Sequence, residues 1–395
     1  MLLHNKINVT RANNFSRRFV LNAVAIAALG FSLTVAHSAT AQEIKLGIID
    51  TLEGNAAYVG IACEAGVKIA VDVINKDPEK YLGSKSRSIV ADTRNGGTTL
   101  TQALALAREF AGDPKYLAML GPSLTPQAIA LGPFAQQSKF PLLIMNSPGS
   151  DLTAPGNYVL AQGQSGVKLA EDVVRAYLKT HPNTKRAGVL STTDNQAIIV
   201  SGEAAEKAFK AGGAEVTTFA VPFASLDYAN AIDAMKKANV EVIYMGPPAA
   251  AVTAAVQQAR RVNFKPSYLG YGNMASPTVI ENGGEAIDGS LIATDYDPNL
   301  PGALNAGFIE AFKKATGNPP DTYGAHGFNA IMLVASAIKS ISGEVTRDKF
   351  VEALAKVKIE SVLANGMFSF APDRTVGAPA ALLQIVGKDL KSYKP

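Results

Sequence analysis

The sequence predicts an α/β protein with two doubly wound parallel-sheet lobes joined by a multi-strand hinge. Short apolar runs alternate with amphipathic helical segments over most of the chain, which is typical of repeated β-α units. Several runs are continuously apolar, as in Tyr116–Leu120 (YLAML), and such strands are usually buried on both faces of a parallel sheet. Of the 395 residues, 354 follow Ala41, too many for one compact core, so we expect two lobes.

The first 41 residues predict a secretory signal peptide cleaved near Ala41, so we expect the mature protein in the periplasm. Its basic residues are Lys6, Arg11, Arg17 and Arg18. An apolar run, Phe19–Val35, follows them, and small residues precede the cleavage point. The alternative is an uncleaved membrane anchor, but the apolar run is a little short to span a bilayer.

The charge balance and the cysteine content narrow the class of protein. Of the 37 Lys and Arg residues, four lie in the signal segment, which leaves 33 against 33 Asp and Glu. The mature chain is therefore formally neutral and gives no indication of a nucleic-acid-binding surface. The single cysteine, Cys63, cannot form an internal disulfide, and we expect it to be buried and inert in a helix.

The first lobe is predicted to begin with a regular β-α series. Its strands are predicted at Ile44–Asp50, Ser88–Asp92, Tyr116–Leu120 and Pro141–Met145. Its helices are predicted at Ala56–Asn75, Thr98–Ala111 and Thr125–Ser138. In the last helix, Pro126 stands in the first turn, where a missing N–H is tolerated. This alternation predicts a doubly wound layer.

A second series of similar size follows Tyr158–Leu160. Its helices are predicted at Gly166–Thr180, Ile198–Ala211, Tyr228–Ala238 and Ala249–Val262. Its strands are predicted at Ala187–Leu190, Glu215–Ala220, Glu241–Met245 and Ser267–Gly270. The remainder of the chain is predicted to form helices at Gly302–Thr316, Tyr323–Ser340 and Arg347–Lys356, then strands at Met367–Phe370 and Ala381–Val386.

This remainder is too small for a third domain, so we expect it to complete the first two lobes. We assign residues 42–160 and 291–360 to lobe I, and residues 161–290 and 361–395 to lobe II. The chain then crosses between the lobes several times, and these crossings form the expected hinge.

The stretch Gly121–Ser150 predicts half of a binding cleft. Ser123 and Thr125 follow one apolar strand, and the polar loop Asn146–Ser150 follows the next. Neighbouring parallel strands would bring these hydroxyls and the free N–H groups of a helix N-terminus to one edge of the sheet, where small and often anionic ligands bind. The alternative is that Ser123 and Thr125 only cap the helix.

Signals for an enzyme or a metal site are weak. The segment Gly270–Ala275 fits the G-x-G-x-x-A dinucleotide pattern, but Pro277 interrupts the helix that should follow, and export disfavours a nicotinamide cofactor. Beyond the signal segment the sequence has only His181 and His326, without Cys/His spacing for a metal. We therefore expect no catalysis, no cofactor and no metal.

Several long segments resemble the Leu/Ile/Val-binding-protein branch of the type 1 periplasmic binding proteins. They include IKLGIIDTLEGNAAYVGIACEAGVKIAVDVIN, ADTRNGGTTLTQALALAREF, LGPSLTPQAIALGPFAQQSKFPLLIMNSPGS and NPPDTYGAHGFNAIMLVASAI. Together with similar segments of the second series, they cover nearly the whole mature chain in the family's order. The resemblance implies that a small solute is captured between two lobes and delivered to the membrane subunits of an ABC importer.

The resemblance also implies a set of ligand-binding residues. In lobe I these are the wall residues Tyr58 and Tyr323 and the carboxylate-cradling loop residues Ser123, Thr125, Asn146, Ser147 and Ser150. In lobe II the candidates are Asn195, Tyr271 and Asn273. The chain departs from the family there. Pro248 stands where a tyrosine is expected, and Gly272 stands where a glutamate would pair with an amino-acid ammonium.

The missing glutamate bears on the class of ligand. A buried ammonium without a partner costs several kcal/mol, so either another acid pairs with it or the ligand has no ammonium. The candidate acids are Glu53, Asp194 and Asp295, although acids at strand ends also cap helices. We favour a carboxylate or amide-like metabolite over a branched-chain amino acid. Tyr323 and His326 also have a purely structural interpretation, as core residues of one helix.

The residues alone predict an exported two-lobe binding protein that closes around its ligand. The resemblance implies that it is the extracytoplasmic solute-binding protein of an ABC importer, and we expect a monomer. The alternative is a ligand-sensing receptor of the same fold, in which closure signals instead of delivering. A receptor should carry a transmembrane helix or an output domain after the lobes, and the sequence up to Pro395 shows neither. We expect the importer component.

Overall fold

The computed structural model describes residues 42–146 and 151–395, apart from the side chains of Asn55 and Ala364. The predicted signal peptide, residues 1–41, and two candidate site residues, Ser147 and Ser150, lie outside the described residues. Among the described helices, none combines the length and the apolar character that a bilayer span requires.

The first sheet has five strands, all paired in parallel, in the order β2-β1-β3-β4-β5. The strands are β1 (Gln42–Asp50), β2 (Arg87–Asn95), β3 (Tyr116–Leu120), β4 (Leu142–Ile144) and β5 (Val159–Ala161). The helices in this part of the chain are α1 (Ala57–Lys76), α2 (Pro78–Leu82), α3 (Leu100–Gly112) and α4 (Thr125–Ser138). The strand order reverses at β1, and doubly wound sheets hold their ligands beyond the strand ends at such a reversal.

The second sheet has seven strands in the order β14-β13-β10-β9-β8-β6-β7. Its parallel strands are β6 (Arg186–Thr192), β7 (Glu215–Val221), β8 (Val242–Met245), β9 (Ser267–Gly270) and β10 (Leu291–Thr294). The helices between β5 and β10 are α5 (Gly166–Thr180), α6 (Gln196–Ala211), α7 (Ala229–Lys237), α8 (Ala249–Arg261) and α9 (Pro277–Gly283). The predicted fold class, two doubly wound parallel-sheet lobes, is confirmed.

The last hundred residues contribute to both lobes. Their elements are α10 (Ala303–Thr316), α11 (Thr322–Ser340), α12 (Arg347–Leu354), β11 (Lys358–Glu360), β12 (Met367–Ser369), β13 (Ala381–Val386) and β14 (Asp389–Ser392). The three helices pack on the first sheet, where Phe308, Phe328 and Phe350 join its buried core. The strands β13 and β14 extend the second sheet as an antiparallel edge.

Two stretches lie in a different lobe from the one that the sequence analysis assigns. Residues 291–294 are assigned to lobe I, but they form β10, which pairs with β9 and β13 in the second sheet. Residues 361–370 are assigned to lobe II, but Val362, Leu363 and Phe368 are buried in the core of the first lobe. We therefore propose that the first part of lobe II extends to Thr294. We also propose that lobe I extends to about residue 379, because Ala378 packs with lobe I and Ala380 packs with lobe II.

The long helices α1 and α11 pack backbone against backbone in lobe I. A Cβ atom at Gly66 would lie 2.0 Å from the carbonyl oxygen of Gly324, and one at Gly327 would lie 2.0 Å from that of Cys63. Any side chain at either glycine would therefore force the helices apart. This close packing holds the first turns of both helices side by side at the end of the lobe that faces lobe II.

Buried hydrogen bonds tie the hinge crossings together. Gln164, in the crossing after β5, donates its N–H to the Asp295 carboxylate at 3.2 Å and its Nε2 to the Ala378 carbonyl oxygen. Gln162 donates its Nε2 to the carbonyl oxygen of His326 at 2.7 Å. Both glutamine side chains are buried, so these bonds are shielded from water and define the path of each crossing.

Candidate ligand-binding site

A cavity lies between the carboxyl ends of the two sheets. Its accessible volume is about 100 Å³ in the observed arrangement of the lobes, which is below the roughly 300–1,000 Å³ of typical small-molecule sites. Eight of the ten predicted site residues belong to the described part of the chain, and all eight line this cavity: Tyr58, Ser123, Thr125, Asn146, Asn195, Tyr271, Asn273 and Tyr323. Contact with a ligand stays a prediction for each of them.

Lobe I supplies a polar end to the cavity. The Ser123 hydroxyl, in the loop between β3 and α4, donates to the Asp50 carboxylate at the end of β1. Asn146, after β4, donates its Nδ2 to Ser123 Oγ at 3.4 Å. Thr125 is the first residue of α4, and Leu124 occupies the N-cap position without a side-chain cap. The hydroxyls of Ser123 and Thr125 are therefore not used as helix caps, contrary to the structural alternative.

Asp50 is a fully buried carboxylate next to Ser123. Its Oδ1 accepts the Thr51 N–H at 2.9 Å and the Ser123 hydroxyl, and its Oδ2 has no hydrogen-bond partner among the described residues. Burial raises the pKa of Asp50 to about 7, although the Thr51 N–H and the Cys63 thiol act in the opposite direction. This carboxyl group therefore changes charge in the neutral pH range.

Three half-buried tyrosines form the walls of the cavity. Tyr58 on α1 and Tyr323 on α11 meet edge to face, with ring centroids 5.7 Å apart. Tyr58 also packs against the hydrophobic cluster of lobe II, so this ring contacts both lobes. Tyr271, after β9, donates its hydroxyl to the Gly246 carbonyl oxygen at 3.0 Å. Burial raises the pKa of all three phenols, which therefore stay neutral.

The two asparagines from lobe II hold the local backbone in place. Asn273 donates its Nδ2 to the carbonyl oxygens of Met245, at 2.9 Å, and Pro247, at 2.6 Å. Its Oδ1 accepts the Tyr271 N–H at 3.1 Å. The side chain of Asn195 caps α6 by accepting the N–H of Ile198 at 3.3 Å. The amide of Asn273 thus makes three backbone contacts that hold the loops around the cavity in place.

The two departures from the family pattern lie on the cavity wall. Pro248 is the N-cap residue of α8 and offers no hydroxyl to a ligand. A Cβ atom at Gly272 would lie 2.7 Å from Thr322 Cγ2 on α11. Any side chain at this position would therefore require Thr322 to shift in the observed arrangement of the lobes.

A buried acid and histidine pair also lines the cavity. His326 Nε2 lies 3.0 Å from Asp295 Oδ2, and the two side chains are only 4% and 9% exposed. Asp295 also accepts the Gln164 N–H, and His326 Nδ1 has no hydrogen-bond partner among the described residues. Glu53 and Asp194, the other acids considered for an ammonium, are exposed, and neither lines the cavity.

The comparisons with known proteins agree with this architecture. The model of the family described as "Periplasmic binding protein" matches residues 43–389. The chain belongs to this family. Periplasmic binding proteins bind solutes and are not enzymes, so the expectation of a non-catalytic protein is confirmed by the family.

This periplasmic binding protein is similar to proteins whose names or bound ligands are of two kinds, branched-chain amino acids and an aromatic acid. Leu/Ile/Val-binding protein homolog 6 of Brucella melitensis is 24% identical and aligns over 89% of this chain and 90% of its own. A leucine-binding protein of Thermotoga maritima has a TM-score of 0.78 at 20% identity, over 89% of this chain and 98% of its own. An ABC-transporter solute-binding protein of Rhodopseudomonas palustris in complex with 3,4-dihydroxybenzoic acid has a TM-score of 0.79 at 22% identity, over 89% and 96%.

The sequence analysis did not assign several residues that line the site in this periplasmic binding protein. They are Gln164, Phe223, Thr294 and Thr322, with the Thr294 and Thr322 hydroxyls 3.1 Å apart. It treats Asp295 as a strand-end acid, one of three considered for an ammonium, and His326 as structural, without pairing them. Within residues 42–146 and 151–395, no cluster of His, Cys, Asp and Glu suits a metal ion.

Proposed function

We propose that this protein is the exported, monomeric solute-binding component of an ABC importer and captures a small carboxylate metabolite without an ammonium group between its lobes. The observation that carries the proposal is the cavity itself, which has a polar end in lobe I and tyrosine walls. The names of its relatives support a transport role, and the predicted signal peptide supports export to the periplasm.

The polar end suits an anionic group. The residues Ser123, Thr125 and Asn146 surround the first turn of α4, whose N–H groups have no partners within the helix. The positive end of the helix dipole adds a favourable field for a carboxylate. Since no Lys or Arg belongs to the described lining of the cavity, neutral donors and the helix terminus would hold the charge.

The rest of the cavity suits an apolar body. The rings of Tyr58, Tyr271 and Tyr323 line it, as expected for a site that holds an aromatic or aliphatic group. The position where the family carries a glutamate is Gly272, next to Thr322. The lining carboxylate Asp295 already has His326 and the Gln164 N–H as partners. An ammonium would therefore lack a free counter-charge, which favours an organic acid such as an aromatic carboxylate.

A branched-chain amino acid is the second candidate ligand. The names of the Brucella and Thermotoga proteins favour it, and Asp295 is the residue that would pair with its ammonium. In that case the ligand would have to compete with His326 for the carboxylate, at a cost that the first candidate avoids.

Calorimetry with matched ligand pairs tests the proposal. Leucine and 4-methylpentanoate share the same carbon skeleton, as do phenylalanine and 3-phenylpropanoate, and only the first member of each pair carries an ammonium. Benzoate and benzamide compare a carboxylate with an amide. We expect the acids to bind at least tenfold more tightly than the matching amino acids. Tight binding of leucine with loss of affinity for 4-methylpentanoate would contradict the proposal and support the second candidate.

A variant outside the cavity controls for general effects. Asn282→Ala, on the exposed face of α9, should leave every affinity in the panel unchanged. Ser123→Ala should weaken the acids and leave benzamide less affected, because the lost hydroxyl belongs to the predicted carboxylate end. Equal losses for acids and amide would place the carboxylate elsewhere.

A further inference from the structure

We infer that this protein takes up a proton when it binds its carboxylate ligand, and that Asp50 is the positioning residue that receives the proton behind Ser123. The inference rests on the proposed function to the extent that the ligand carries a carboxylate which reaches Ser123. It makes solute capture depend on pH in the neutral range.

The hydrogen-bond capacity of Ser123 is the first argument. A serine hydroxyl has one proton to donate and two lone pairs to accept with. In the observed geometry its proton goes to Asp50 Oδ1, while Asn146 Nδ2 approaches its oxygen at 3.4 Å. With Asp50 ionised, the hydroxyl therefore has no proton left for a ligand and would present a lone pair to the ligand carboxylate, which is repulsive.

Protonation of Asp50 reverses the direction of this bond. One proton from solvent then resides on an Asp50 oxygen, and the new O–H group donates to Ser123 Oγ. The hydroxyl proton of Ser123 is released to donate to the ligand carboxylate. The proton sits on Oδ1, which is the Asp50 oxygen that Ser123 contacts, and no other bond forms or breaks.

The charges around Asp50 are the second argument. The titratable groups that act on it both come from α1: the Cys63 thiol, which favours the ionised form, and the Glu64 carboxylate, which repels the ionised form. Further away, Asp321 acts on Cys63. A ligand carboxylate on Ser123 would stand one hydroxyl away from Asp50 in a buried site, where two anions strongly disfavour each other. Uptake of one proton by Asp50 removes this repulsion.

The expected size of the effect follows from the titration of Asp50 near neutral pH. Burial raises its pKa to about 7, so the protonated fraction falls from about nine tenths at pH 6 to about one tenth at pH 8. If binding needs the protonated form, affinity falls about tenfold over this interval. Proton uptake per bound ligand rises from near zero at pH 6 towards one at pH 8.

Calorimetric titrations with 4-methylpentanoate and with leucine at pH 6, 7 and 8 test the inference. Each titration is repeated in two buffers with different ionisation enthalpies, and the difference in heat counts the protons taken up. Both probes carry a carboxylate, so either one reports on Asp50, whereas their relative affinity tests the proposed function separately. We expect a tenfold loss of affinity and nearly one proton at pH 8. Constant affinity without proton uptake would overturn the inference.

Two variants locate the proton. In Asp50→Asn, the side-chain amide can donate to Ser123 Oγ as protonated Asp50 does, so we expect retained binding with a flat pH profile and no proton uptake. Asp92→Asn is the matched control, because Asp92 lies on the neighbouring strand β2, pairs with Arg94 and has a pKa lowered to about 2. It should keep the wild-type profile. A tenfold pH dependence that persists in Asp50→Asn would overturn the inference.

A measurement on the wild-type protein covers the cases in which Asp50→Asn does not fold or neither probe binds. Carbon-13 NMR of the Asp50 carboxyl group follows its ionisation directly. A carboxyl group that is protonated at pH 6 and ionised by pH 8 supports the inference. One that is already ionised at pH 6 contradicts it.

Discussion

Replacing Asn273 with alanine should destabilise the lobe II side of the cavity. The change removes two hydrogen bonds to the carbonyl oxygens of Met245 and Pro247 and one from the Tyr271 N–H. Each bond contributes on the order of 1 kcal/mol, and each buried group left unpaired costs about 1–3 kcal/mol. Because Asn273 is only 1% exposed, water cannot easily replace the amide. We expect Asn273→Ala to lower the free energy of unfolding by about 3 kcal/mol.

Urea unfolding followed by circular dichroism measures this effect, provided that the slope with urea is unchanged. Asn282→Ala is the control, because its exposed amide makes one hydrogen bond within α9 and should matter by less than about 0.5 kcal/mol. The bonds of Asn273 also position Tyr271, so ligand affinity should fall with stability. A loss below about 1 kcal/mol with unchanged affinity would refute the view that Asn273 holds these loops.

Three further predictions concern the lobes and their charges. Tyr58→Ala removes the ring that contacts both lobes, and calorimetry should show binding weakened by on the order of tenfold. The melting temperature of the protein without added ligand should stay within a few degrees of wild type. A large drop in that temperature would show that the ring is structural. Gly272→Ala places a Cβ atom 2.7 Å from Thr322 Cγ2 of lobe I, so we expect the two lobes to close less completely. Small-angle scattering with saturating ligand should then give a larger radius of gyration than wild type, and equal radii would contradict this expectation. The hydrogen bond from Arg94 lowers the pKa of Asp92 to about 2, so this pair stabilises the fold above pH 4 and loses its effect as pH falls towards 2. Thermal scans should therefore show a destabilised Asp92→Asn at pH 7 and a much smaller difference at pH 2, and a constant difference would assign the effect to packing.

The elements with strong local signals could be predicted from the sequence. The bounds of α4 and α5, Thr125–Ser138 and Gly166–Thr180, agree with the prediction residue for residue. Pro126 marks the start of α4, and Lys139 ends it in a left-handed conformation with a φ of 50°. Ser165 caps α5 by accepting the Lys168 N–H. Capping and terminating residues act within one turn, so the sequence around them contains the needed information.

The elements that depend on distant partners could not be predicted. The strand β10 has only four residues, and it is recognised as a strand by its pairing with β9 on one side and β13 on the other. Of these two partners, β13 is distant in sequence. The strand β14 likewise exists through its pairing with β13. Because the sequence analysis does not list β10 as a strand of the second sheet, it assigns residues 291–294 to the wrong lobe. Short strands of this kind carry too little local propensity to be recognised alone.

The site shows the same division between local and tertiary information. The loops of Ser123 and Asn146 were predictable because parallel strands bring their carboxyl ends to one edge. The commitment of the Asn273 amide to three backbone groups was not predictable, because two of these groups, on Met245 and Pro247, lie at the end of a different strand, β8. The pairing of Asp295 with His326 joins a strand end of lobe II to a helix of lobe I, which only the folded chain reveals.

A crystal structure with 4-methylpentanoate or 4-hydroxybenzoate, whichever binds more tightly, tests the central claim most directly. The account predicts the ligand carboxylate within hydrogen-bond distance of Ser123 Oγ and Thr125 Oγ1, and the apolar body between the rings of Tyr58 and Tyr271. A carboxylate bound at the lobe II end of the cavity, or a ligand bound outside the space between the two sheets, would contradict it.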